Sequence, residues 1–126
     1  MQELQDVRDR ILPMMEHAAE QYKGRVAPGY PVIVDEVDRG TVGIELDPNF
    51  ALYITADGQG LSAEVYRRLS RTDNRANAGR QKYGGAPLSD RRPLPENVDD
   101  QTLRNLIAEL KNYLNFQPGY LYISED

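Results

Sequence analysis

Three stretches of two-residue alternation dominate the middle of the chain. Val42, Ile44 and Leu46 alternate with Thr41, Gly43 and Glu45; Phe50, Leu52 and Ile54 alternate with Ala51, Tyr53 and Thr55; Leu61, Ala63 and Val65 alternate with Ser62, Glu64 and Tyr66. Successive side chains on a strand point to opposite faces, so this period gives each segment one face to bury and one to leave in water. Ahead of them, Val32, Ile33 and Val34 form a short apolar run. Asp38-Arg39-Gly40, Asp47-Pro48-Asn49 and Asp57-Gly58-Gln59-Gly60 separate the segments, and each carries turn chemistry. Links this short predict an antiparallel meander of strands over Pro31–Val37, Thr41–Leu46, Phe50–Ala56 and Leu61–Ser70.

An apolar sheet face requires a cover, and two amphipathic segments supply it. Leu4, Val7, Ile11, Met14, Met15, Ala18 and Tyr22 recur at helical spacing in the first segment, which Gly24 stops. Pro13 interrupts it by removing an N–H and crowding the carbonyl of Asp9, which predicts a kink or a start near Leu12. Leu103, Leu106, Ile107, Leu110, Tyr113 and Leu114 form the second stripe, with Asp99 or Asp100 placed to cap it. The tail Tyr120-Leu121-Tyr122-Ile123-Ser124 alternates like a strand that would pair with an edge of its own sheet or of a second copy. These elements predict an α+β two-layer sandwich: an antiparallel four- to five-stranded meander with the N-terminal and C-terminal helices on one face. The 126 residues suit a single domain over 1–126.

Between about 71 and 95 the periodicity disappears among Asn74, Asn77, Gly79, Gly84, Gly85, Pro87, Pro93 and Pro95. A long basic loop is expected there, with Arg80–Tyr83 the one candidate for a fifth strand. Charge is concentrated in the same place. Arg67, Arg68, Arg71, Arg75, Arg80, Lys82, Arg91 and Arg92 stand against only Asp73 and Asp90, whereas the chain as a whole carries −5. Such a division concerns fields and partners rather than fold.

Three groups of residues invite a functional reading. The first is the basic stretch with Tyr66 and Tyr83, a composition able to contact phosphates and stack on bases, or to meet an acidic protein surface. Within it, Arg67 shares the register of Ala63 and Val65 and so points toward the helices. It must reach water from the sheet's end or serve as an anion-binding position at the core's rim. The second group is the sheet face left uncovered, with Thr41, Glu45, Tyr53, Thr55, Glu64, Tyr66 and Arg68. The third is acidic: Glu16, His17 and Glu20 on the first helix and Asp35, Glu36 and Asp38 on the first strand, which read as solvated surface. With a lone histidine and no cysteine, no metal site or cofactor is expected.

An acidic first helix and first strand ahead of a meander and a closing helix resembles the frataxin layout in element order alone. The tryptophan that frataxins carry on the sheet is absent here, so no family is assigned. Catalysis finds no support. The serines lack a Gly-x-Ser-x-Gly elbow, and Gly58-Gln59-Gly60 falls in a hairpin rather than between a strand and a helix. No apolar run is long enough to span a membrane, and the polar, acidic Met1–Asp6 resembles neither a secretory signal nor a basic transit peptide. A cytoplasmic protein is therefore expected. The reading is a small non-enzymatic protein-interaction domain using the exposed sheet face and the basic loop, with a protein partner or a homodimer. Its alternative is a binder of nucleic acid or another phosphorylated or anionic ligand through the Arg-rich stretch 67–92.

Overall fold

A computed structural model describes residues 3–68 and 87–116. Helix α1 spans Glu3–Tyr22 and strand β1 spans Val32–Glu36, followed by a single 3-10 turn at Val37–Arg39. Strands β2 (Thr41–Asp47), β3 (Phe50–Asp57), β4 (Gly60–Arg68) and β5 (Pro87–Pro93) precede helix α2 (Asp100–Asn115). The strands form one antiparallel sheet in the order β1-β2-β3-β4-β5, the meander that the short links require.

Each helix follows from its stripe. Leu4, Val7, Ile11, Met15, Ala18 and Tyr22 are all buried along α1. The helix runs unbroken through Pro13, so the start near Leu12 does not occur. Pro13 and Asp9 both face solvent, where water can serve the carbonyl that loses its amide partner, while the buried stripe holds both halves to one core. Gly24, at φ +82°, takes the left-handed conformation that ends the helix. In α2, Asp99 is the cap: its carboxylate accepts the Thr102 amide at 2.8 Å. Leu103, Leu106, Ile107, Leu110 and Leu114 are buried behind it.

The sheet's pairing puts Ile33, Ile44, Leu52 and Val65 in one cross-strand row and Val42, Ile54 and Ala63 in the next. These side chains, with Leu46 and Phe50, join the stripes of both helices in one contiguous core. α1 lies against β1, β2 and β3, α2 lies against β3 and β4, and the helices pack on each other. One face of the sheet is therefore roofed by both helices.

Two features depart from simple alternation. The ladder slips between Glu45 and Asp47, and Asp47, 2 % exposed, turns its carboxylate inward. It accepts the amides of Asn49 at 3.0 Å and Ala27 at 3.2 Å, tying the β2–β3 turn to the connection after α1. The second departure concerns the expected loop. Of Arg71–Pro95, residues 87–95 are described, and Pro87–Pro93 form a strand paired with β4 from Ser62↔Pro93 to Arg68↔Pro87. It shows no apolar alternation because its inward positions are Leu88, Asp90 and Arg92, and among the described residues no strand pairs with its other side. Prolines are tolerated at both ends because an edge strand does not need every amide in a ladder. Arg80–Tyr83 and Tyr120–Ser124, where further strands were expected, lie outside the described residues.

At Gly43 the backbone of β3 occupies the place a side chain would take. A Cβ added there would lie 2.1 Å from the Leu52 carbonyl oxygen and 3.0 Å from Tyr53 Cα. Gly43→Ala should cost about 1–3 kcal/mol through forced backbone movement. Gly58→Ala, where an added Cβ meets nothing within 4 Å, should be close to neutral. Leu106→Ala and Ile107→Ala, at 4 % and 5 % exposure in the native chain, should each cost about 2–5 kcal/mol. Urea midpoints of the four variants check all of this.

Candidate functional site

The sheet's pleat sorts the residues that the sequence singles out. Side chains at paired positions share a face, so Arg67, opposite Phe50 and Leu88, and Arg92, opposite Ala63, belong to the helix side. Tyr53, Tyr66, Arg68 and Arg91 belong to the outward side. Arg91 and Arg92, adjacent in sequence, thus serve opposite faces. Arg71, Arg75, Arg80, Lys82 and Tyr83 lie outside the described residues.

On the outward face, two cross-strand rows lie side by side. One runs Val34, Gly43, Tyr53, Glu64 and Arg91; the other runs Val32, Glu45, Ala51, Tyr66 and Ser89. The Tyr53 hydroxyl donates to Glu45 Oε2 at 2.6 Å, a side-chain tie between β3 and β2. Burial, the hydrogen bond to Glu45, and the negative charges of Glu45 and Glu64 push the Tyr53 phenol well above its usual range. It remains a neutral donor at any physiological pH. Ser89 Oγ donates to Glu64 Oε2, and Arg91 Nη1 stands 4.0 Å from Glu64 Oε1. Tyr66 and Arg68 are half-buried, and Arg68 Nε is shielded from water with no hydrogen-bond partner among the described residues.

The helix side carries a different arrangement. The Arg67 guanidinium lies over the Tyr113 ring of α2, 3.9 Å from its centroid. The Tyr113 hydroxyl donates to Glu109 Oε2 at 3.0 Å and reaches Asp90 Oδ2 at 3.4 Å. Arg92 grips Glu109 with both terminal nitrogens, each at 2.9 Å. That fork, helped by the Tyr113 hydroxyl and the charges of Arg92 and Arg67, holds the Glu109 carboxyl below the usual carboxylate range. The Arg92–Glu109 fork fastens α2 to the edge strand β5. On the opposite edge Arg8 fastens α1 to β1 through Asp35 at 2.7 Å, and Arg10 joins α1 to the start of α2 through Asp100 at 2.7 Å.

Sequence reasoning placed Arg67 toward the helices correctly, but its partner Tyr113 was read only as a stripe residue. Nothing in the sequence pattern singles out Glu109. The signal that would have linked them is the four-residue spacing of Glu109 and Tyr113, which puts both on one side of α2. Among the described residues no three His, Cys, Asp or Glu side chains are grouped to hold a metal ion, and no helix is long and apolar enough to cross a membrane. Two concavities open elsewhere. One of about 410 Å³ lies at the β3–β4 hairpin beside Leu94–Glu96; the other, of about 600 Å³, lies between the end of α1 and residues 26–31. Comparisons with protein-family models, curated proteins and solved structures find no match, so the functional argument rests on this geometry.

The Arg92–Glu109 fork makes a prediction about pH. Because folding lowers the Glu109 pKa, its contribution is fully present above the unfolded value, about 4.3. It is lost as pH falls through that value and on through the lower folded one. Glu109→Gln should lower stability at pH 7 and flatten the loss of stability below about pH 5, relative to the native chain. Denaturation midpoints across that range check it, and parallel pH slopes would show that the fork contributes nothing.

Proposed function

We propose that this chain is a small non-enzymatic protein-interaction domain that docks a partner on its outward sheet face. The observation that carries the reading is the contrast between the two sides of one sheet. The inner side is spent on two helices, while the outer presents Tyr53 and Tyr66 flanked by Arg68 and Arg91. Tyrosine and arginine are the side chains most enriched where proteins meet. Tyr53 is already held on Glu45, so little side-chain freedom remains to be lost on binding. The glutamates at the centre and the arginines toward β5 suit a partner surface bearing both signs of charge. Arg71, Arg75, Arg80 and Lys82 belong to the proposal as the source of further positive charge. Arg67 and Arg92, the basic residues engaged by α2, weigh against reading the whole stretch 67–92 as one anion-binding surface.

The test compares three full-length proteins as affinity baits: the native chain, Tyr66→Ala/Arg91→Ala on the outward face, and Gln21→Ala/Lys111→Ala on the helix surface. Gln21 and Lys111 pair with each other at 2.9 Å across the two helices, away from the proposed surface. Captured proteins should drop at least about ten-fold on the outward-face variant alone, a change of roughly 1.4 kcal/mol in binding. Melting temperatures should stay close to that of the native chain. Identical capture by all three, or no capture by a strictly monomeric native chain, would overturn the reading. Retention of nucleic acid that weakens steeply with salt would favour the anionic-ligand alternative instead.

A further inference from the structure

The outward face is divided by charge along the order of its strands. On β1 and β2 it carries Glu36 and Glu45 and no cation, and Asp38 and Arg39 of the turn between them cancel. On β4 and β5 it carries one acid, Glu64, against two arginines, Arg68 and Arg91. The residues that join β4 to β5 in sequence add Arg71, Arg75, Arg80 and Lys82 against Asp73, so the sign of that half holds. Asp57, at the hairpin end of β3, lies between the halves and accepts the Gln59 amide of its own turn at 2.7 Å. Among the described residues neither acidic-side glutamate meets a cation: Glu36 is exposed, and Glu45 holds the Tyr53 hydroxyl. On the basic side Arg91 reaches Glu64 only at 4.0 Å, and Arg68 Nε has no acceptor among the described residues.

Building on the protein-interaction reading, we infer that the partner on this face is a second copy of the chain, its own outward face turned through a two-fold axis that runs along the strands. Two sheets packed face to face keep their strands roughly aligned, which leaves an axis along the strands or one across them. An axis across the strands lays each strand over its own copy, so arginines meet arginines and glutamates meet glutamates. Like charges opposed in this way are costly. An axis along the strands instead lays β1 over β5 of the copy and β2 over β4. Arg91 then stands over the partner's β1, one row from the partner's Glu36. Tyr66 and Arg68 stand over the partner's β2, near the partner's Glu45. Each contact occurs twice, as an isologous interface requires. Half-buried Tyr53 and Tyr66, with Val32 at 37 % exposure, supply the apolar contact that surface ion pairs lack.

The test is sedimentation equilibrium of the full chain and of two charge reversals, Glu36→Lys and Arg91→Glu, both at exposed positions. The native chain should weigh twice its 14.3 kDa when concentrated and dissociate on dilution. Each reversal opposes like charges at both contacts and should raise the dissociation constant at least about ten-fold. Mixed in equal amounts, the two reversed proteins oppose unlike charges at both contacts and should associate with each other as the native chain does with itself. Misfolded chains would not recover in this way. The double variant Glu36→Lys/Arg91→Glu should dimerise likewise. A native chain of 14.3 kDa at every concentration, a dimer that neither reversal weakens, or a mixture that associates no better than its components would overturn the inference. A monomer that still captures a different protein through Tyr66 and Arg91 would overturn the second copy alone and leave the interaction reading standing.

Discussion

Burial of a single apolar sheet face fixes where everything else in this molecule can be. Val42, Ile44 and Leu46 on β2 and Phe50, Leu52 and Ile54 on β3 are removed from water completely. Each side chain of this kind contributes about 1.5–3 kcal/mol on burial. The helices can bury their own stripes only against this face and each other, so both settle on one side. Ion pairs across the elements are much weaker contributors when their side chains stay partly in water. Arg8–Asp35 and Arg92–Glu109 therefore act as fasteners at the two edges of a layer that the core already holds.

The alternating segments were legible because a half-buried strand must repeat every two residues, and β2, β3 and β4 do so. β5 was not legible, because an edge strand at the margin of the core needs little apolar surface of its own. Its inward positions are Leu88, Asp90 and Arg92, which pair with α2 through Tyr113 and Glu109 or stand exposed. The strand is recognisable only through β4, a contact between residues nineteen or more apart that no local pattern records. Pro13 illustrates the converse. A local rule disfavours proline within a helix, yet a continuous buried stripe on the far side of α1 outweighs the one lost hydrogen bond.

The basic stretch was legible as a concentration of charge and not as a surface. Composition cannot say which side of a strand an arginine takes, and register decides it here. Arg67 and Arg92 fall in line with Val65 and Ala63 and are drawn into contact with α2; Arg68 and Arg91 fall between them and face outward. A run read as one positive patch therefore becomes two sets of guanidinium groups with different partners. Arg92 spends its donors on Glu109, whereas Arg67 lies on the Tyr113 ring.

The outward face is shaped by what it omits. Gly43 and Ala51 are buried although they point away from the helices, and their cross-strand neighbours are Tyr53 and Tyr66. On β2 the lack of a Cβ at Gly43 is enforced by the Leu52 carbonyl, whose oxygen would lie 2.1 Å from it. The Tyr53 hydroxyl, anchored on Glu45 and surrounded by negative charge, is then a fixed neutral donor rather than a mobile one. The bare backbone at Gly43 and the fixed hydroxyl of Tyr53 thus belong to one cross-strand pair.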